Sequence, residues 1–125
     1  MNKTAKITKM DVYEDIMIEL GNFNFKRNSM SFQYLIEAIY MVVKNKNVIK
    51  DFNHCVYPKI AEKYETKPEN VLWNISKLIK MMYLNTDSQT VKDYFKIQYD
   101  ENPSVKAFII FISYNVVKKI SQQKA

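Results

Sequence analysis

Apolar residues recur at helical spacing along most of the chain, and short polar stretches divide these recurrences into about six segments. The first runs from about Thr8 to Leu20, with Thr8 and Asp11 as starting signals. Ile16, Met17 and Leu20 form its apolar stripe, and Gly21 suits a left-handed C-terminal cap. Asn22 to Asn28 reads as a polar, turn-rich link carrying Lys26 and Arg27. A second helix opens near Ser31, continues to about Lys44, and turns Tyr34, Leu35, Ala38, Ile39 and Val42 inward. Lys44 to Lys50 (KNKNVIK) is then either a solvated connection or a patch able to grip phosphate.

The most ordered pattern lies between Val56 and Leu84. A helix opening at Pro58 carries Ile60, Ala61 and Tyr64 inward, since the fixed φ of proline suits a first helical turn. Thr66 and Glu69 have the spacing of a capping box for the next helix, with Pro68 in its first turn. Val71, Ile75, Leu78, Ile79 and Met82 then mark one buried stripe. Successive residues lie about 100° apart, so the opposite face centres on Trp73 and Lys80. Glu69, Asn70, Ser76, Lys77 and Leu84 flank that centre. A short helix, a tight turn and a longer helix make up a helix-turn-helix, whose second helix offers its outer face to the DNA major groove.

Thr86, Asp87 and Ser88 end this helix, and a short one follows from Ser88 to Phe95. The link from Gln98 to Pro103 is acidic and turn-like. The last helix, about Ser104 to Ser121, is apolar nearly all round. Val105, Ile109, Ile112, Val116 and Ile120 share one face, with Ile110, Tyr114 and Val117 opposite. Such a helix is either central in the core or shared between its own chain and a partner. The pattern predicts an all-α, compact single-domain bundle of about five to six helices over residues 1–125, with the helix-turn-helix at about 56–84.

Composition narrows the chemistry. One glycine and three prolines in 125 residues argue against a β protein built on tight turns. The net charge of +6 comes almost wholly from lysine and favours an anionic partner, although a lysine-rich solvated surface gives the same balance. Cys55 is the only cysteine and His54 the only histidine, so neither a disulfide framework nor a His/Cys metal site is available. The pair reads as a partly buried thiol beside a surface imidazole. There is no glycine-rich phosphate loop, nucleophile elbow or paired-carboxylate cleft. No catalytic residue, cofactor or metal is expected, and the chain is not read as an enzyme. No stretch reaches the ~18 apolar residues of a membrane span, and no signal peptide is evident, so a cytoplasmic protein is expected.

The helix-turn-helix segment resembles the C-terminal DNA-binding domain of the stage zero sporulation master regulator, a response-regulator family of spore-forming Firmicutes. Tyr34-Leu35, Glu37-Ala38-Ile39 and Met41-Val42 carry the resemblance in the upstream helix. Tyr57-Pro58, Ile60-Ala61 and Lys63 carry it in the first helix of the motif, and Thr66, Val71, Ile75 and Ile79 in the second. No gap is needed from Tyr34 to Tyr83, and weaker similarity continues through Pro103 and Phe108-Ile109. The resemblance implies a sporulation-type transcriptional regulator that binds double-stranded DNA. It begins at the effector domain, so switching by phosphate on a receiver aspartate lies outside these residues. The family presents arginines and a glutamate where this chain has Asn70, Leu72, Trp73 and Ser76. Loss of the guanine-reading arginines implies an AT-leaning site.

Two functions are therefore expected. In the first, a recognition helix at about 67–84 enters the major groove. Glu69, Asn70, Trp73, Ser76 and Lys77 face the bases, while Lys59, Lys63, Lys67 and Lys80 grip phosphates. In the second, the same fold is a protein-interaction module that has lost specific DNA binding and pairs through the Trp73 face or the C-terminal helix. A homodimer or tandem pair on DNA, and contact with the transcription machinery, stay open as further partners.

Overall fold

A computed structural model describes residues 7–98 and 100–124. The described residues form seven α-helices: α1 (Lys9–Leu20), α2 (Met30–Lys44), α3 (Phe52–Cys55), α4 (Tyr57–Lys63), α5 (Pro68–Asn85), α6 (Ser88–Phe95) and α7 (Val105–Lys124). A 3-10 helix (Lys46–Asp51) links α2 to α3, and the described residues contain no strand. The all-α bundle is as expected. The helix beyond the expected six is α3, four residues long, whose Phe52 and following Val56 are buried.

The helix starts are set by local chemistry. Thr8 and Asp11 form a reciprocal capping box at α1, where the Thr8 hydroxyl accepts from the Asp11 N–H and the Asp11 carboxylate accepts from the Thr8 N–H. Ser29 caps α2 by accepting from the Phe32 N–H at 3.2 Å. Gly21 departs from expectation: its φ is −64°, an ordinary right-handed value, so no left-handed cap is present. Space is tight there, since a Cβ would lie 3.0 Å from the Ile18 carbonyl oxygen and 3.2 Å from the Arg27 guanidinium. Met17 also departs, being exposed. Val12, Ile16 and Leu20 occupy the inward line of α1 at intervals of four, and Met17 falls past its edge.

Buried side chains of α1, α2, α4, α5, α6 and α7 share one continuous core. The α7 face carrying Ile109, Ile112 and Val116 lies in it together with Phe108, while Val105 and Ile120 at the ends are half-buried. Ser113 is buried beside them and donates its hydroxyl to the Ile109 carbonyl at 2.7 Å, which satisfies it inside the helix. On the other face Tyr114 and Val117 are exposed, so α7 is a core helix on one side only.

The link after α1 differs from its expectation as a purely polar connection. Phe23 is buried and Phe25 half-buried. The Phe23 ring lies 4.9 Å from Tyr94, 5.3 Å from Phe108 and 5.9 Å from Phe95, and so joins α6 to α7. The same link reaches α5, where the Asn24 N–H donates to Thr86 Oγ1 at 2.9 Å and Asn24 Nδ2 to the Asn85 carbonyl at 2.7 Å. Phe23→Ala is expected to remove about 3–5 kcal/mol of stability. In urea titration the midpoint falls at constant slope, and Phe25→Ala costs less because that ring is only partly covered.

Candidate nucleic-acid interface

The α4–turn–α5 unit is built around a left-handed residue. Glu65 has φ 55°, the Thr66 N–H donates to the Ala61 carbonyl at 2.9 Å, and the Glu65 N–H to the Glu62 carbonyl at 3.3 Å. These two bonds form a Schellman motif and stop α4 abruptly. Thr66 is thereby occupied in ending α4, and the expected capping box with Glu69 is absent. The N-cap of α5 is Lys67, in extended conformation and without a side-chain cap bond, followed by Pro68 in the first turn. Thr66 Oγ1 instead accepts from Asn70 Nδ2 at 2.8 Å.

The stripe of Val71, Ile75, Leu78, Ile79 and Met82 is buried throughout, and Ile60 and Ala61 of α4 pack into the same core. With that stripe fixed, the helical period sends the opposite face outward. Trp73 is 60% exposed and Leu84 80%, and Lys67, Glu69, Asn70, Lys77 and Lys80 are exposed beside them. Ser76 is half-buried at the edge. The Lys77 ammonium lies 5.0 Å from the Trp73 ring centroid, so charge and indole form one cation–π unit on the surface. Glu69 is the single acid of this face and sits in the first turn, where the helix dipole favours it.

The basic residues divide into two kinds. Among the described residues, no ion pair engages Lys59, Lys67, Lys77 or Lys80. Lys63, by contrast, is paired with Glu37 of α2. Glu37 also accepts from the Tyr13 hydroxyl at 3.0 Å and the Tyr64 hydroxyl at 3.2 Å, so one carboxylate joins α1, α2 and α4. Partial burial alone would raise its pKa. The hydrogen bonds from Lys63 and Tyr13, the Lys63 charge and the Tyr64 bond outweigh burial and hold it below its ordinary value. Lys63 moves the other way, raised chiefly by its hydrogen bond to Glu37.

Two elements of this surface were not singled out from the sequence. Asn74 is half-buried on the flank of α5 and bonds both Asn70 and Ser31 of α2. Its spacing of four from Asn70 on an otherwise regular helix was the available signal. Beside it a groove of about 360 Å³ runs between α5 and the segment before α2, with Lys26, Ser29, Lys77 and Met81 among its walls.

A family described as sporulation initiation factor Spo0A C terminal matches residues 14–116. The chain belongs to this family. It is a family of DNA-binding sporulation-regulator domains, in agreement with the resemblance carried by α2, α4 and α5. No individual curated protein matches the chain. The family match spans the α4–α5 unit, all of α2, and α7 as far as Val116.

The remaining sequence candidates, His54 and Cys55, belong to α3. His54 pairs with Asp51 at 2.8 Å. Cys55 is exposed, where a partly buried thiol was expected, because Phe52 and Val56 take the inward positions of that short turn. Among the described residues no group of three or more His, Cys, Asp or Glu could hold a metal ion, and no helix is long and apolar enough to cross a membrane.

The Glu37 carboxyl fixes the sign of an acid effect. Its folded pKa lies below the ordinary 4.5, so the unfolded chain binds more protons between the two values. Its stabilisation is present above about pH 4.5 and is lost as pH falls through the folded value. Wild type is therefore expected to lose melting temperature on acidification more steeply than Glu37→Gln, with the two curves converging at low pH.

Proposed function

We propose that this chain is a sequence-specific DNA-binding regulator in which α5 is the recognition helix. The observation carrying this reading is the outward face of α5: an exposed Trp73 capped by Lys77, flanked by Lys67 and Lys80, on a helix whose other face is buried. In this docking α5 enters the major groove, while Lys59 on α4 faces the sugar–phosphate backbone. Asn70, Trp73, Ser76 and Lys77 are the base-facing set, with Glu69 at its edge. Asparagine bonds the adenine edge and an indole packs on the thymine methyl, so the favoured site is rich in A·T pairs. Lys67, Lys80 and Lys59 supply the salt-sensitive, sequence-independent part of the affinity.

Lys63 has a smaller share in this reading, because its charge is already matched by Glu37. Fluorescence anisotropy on a duplex at several salt concentrations separates the lysines. Lys67→Ala and Lys80→Ala are each expected to flatten the plot of log K against log salt by about 0.9, the value for one released counterion. Lys63→Gln is expected to flatten it by much less. Slopes unchanged in Lys67→Ala and Lys80→Ala would contradict the docking. The second reading, a protein-interaction surface, rests on exposed Leu72, Met81 and Leu84 beside Trp73. It is favoured instead if Trp73→Ala breaks a salt-insensitive self-association seen by sedimentation.

A further inference from the structure

The amides of Asn70 and Asn74 form a hydrogen-bonded ladder along one flank of α5. Asn74 Nδ2 donates to the Asn70 main-chain carbonyl at 2.7 Å and to Asn70 Oδ1 at 3.1 Å. Asn70 Nδ2 donates to Thr66 Oγ1 at 2.8 Å, and Ser31 Oγ donates to Asn74 Oδ1 at 3.2 Å. A main-chain carbonyl can only accept, so the nitrogen end of Asn74 must face it. That puts an N–H against the Asn70 side-chain oxygen and turns the Asn70 nitrogen toward Thr66. The backbone thus dictates which way round both amides sit. Ser31 belongs to α2, so the ladder is referenced to the scaffold as well as to α5 itself.

An asparagine amide has two N–H donors and two oxygen lone pairs. Asn74 uses both donors within the ladder. Asn70 uses one donor and one lone pair, which leaves one of each on an exposed side chain. Adenine presents the complement in the major groove, an N7 acceptor beside an N6 amino donor, whereas guanine presents two acceptors. Asparagine is a poor helix former, so intrinsic helix propensity does not account for two of them four residues apart.

We propose that Asn74 is a positioning residue that holds Asn70 in the amide orientation that reads adenine. This rests on the DNA-binding reading above and adds the base, the reader and the residue that aims it. Thr66 and Ser31 are the two ends of the device.

The test is selection from a randomised duplex pool with wild type, Asn70→Ala and Asn74→Ala, followed by 7-deazaadenine substitution, which removes the N7 acceptor. Wild type is expected to enrich adenine at one position of each bound site. The substitution there should weaken wild type on the order of tenfold, the scale of a good bidentate contact. It should leave Asn70→Ala unmoved and cost Asn74→Ala clearly less than wild type. Asn74→Ala should keep its salt slope and its affinity for unrelated duplex, whereas an asparagine needed only for folding would lower these together with the melting temperature. Absence of salt-sensitive binding to any duplex overturns the DNA reading and this inference with it. Salt-sensitive binding without adenine enrichment in wild type, with enrichment retained in Asn70→Ala, or with a 7-deazaadenine loss in Asn74→Ala as large as in wild type, overturns the inference alone.

Discussion

The seating of α5 by one face is the constraint on which the rest of the molecule depends. Val71, Ile75, Leu78, Ile79 and Met82 are removed from water against the core, and burying side chains of this size contributes about 1.5–3 kcal/mol each. Slippage by one residue would rotate the helix by about 100° and bring charged or amide groups into the core. The outward position of Trp73 is a consequence of that packing. An indole left in water contributes little to the fold, and its presence there asks for a partner.

Both ends of α5 are fixed. At its start the Schellman turn at Glu65 closes α4, and the Asn70–Asn74–Ser31 ladder ties the first turns back to α2. At its end Asn24 holds Thr86 and the Asn85 carbonyl, and Phe23 anchors that link among the rings of α6 and α7. Glu37 joins α4 to α1 and α2 through Lys63, Tyr64 and Tyr13. A surface that docks on a partner gains from such fixing, since side chains held in place before binding lose less freedom on docking.

The parts of this arrangement that periodicity governs were legible in the sequence. The stripe of α5, the inward residues of α2 and the short helix Ser88–Phe95 are all present, because burial on one helical face repeats every three to four residues. The parts governed by single contacts were not. Thr66 and Glu69 have capping-box spacing, but the spacing carries no sign that a non-glycine residue, Glu65, would take the left-handed position and use Thr66 to end α4. Gly21 suited a left-handed cap and instead ends α1 in right-handed conformation, close to the Ile18 carbonyl and the Arg27 guanidinium. Phe23 and Phe25 lay in a link whose asparagines suggested only solvent, and their partners are far away in sequence. Lys63 has the same spacing as its neighbours, but its partner Glu37 stands 26 residues earlier on α2.

In the proposed docking, recognition by this member of the Spo0A C-terminal family would be carried by lysines, an indole and an oriented asparagine amide. Trp73 is the only tryptophan, so its fluorescence reports this face directly. The decisive measurement is iodide quenching of that emission, with and without an A·T-rich duplex, at moderate salt. Red-shifted, readily quenched emission in the free protein, shielded when duplex is added and released again at high salt, is the expected result. Emission that resists iodide in the free protein, or that stays equally open to it in saturating duplex, would contradict the account.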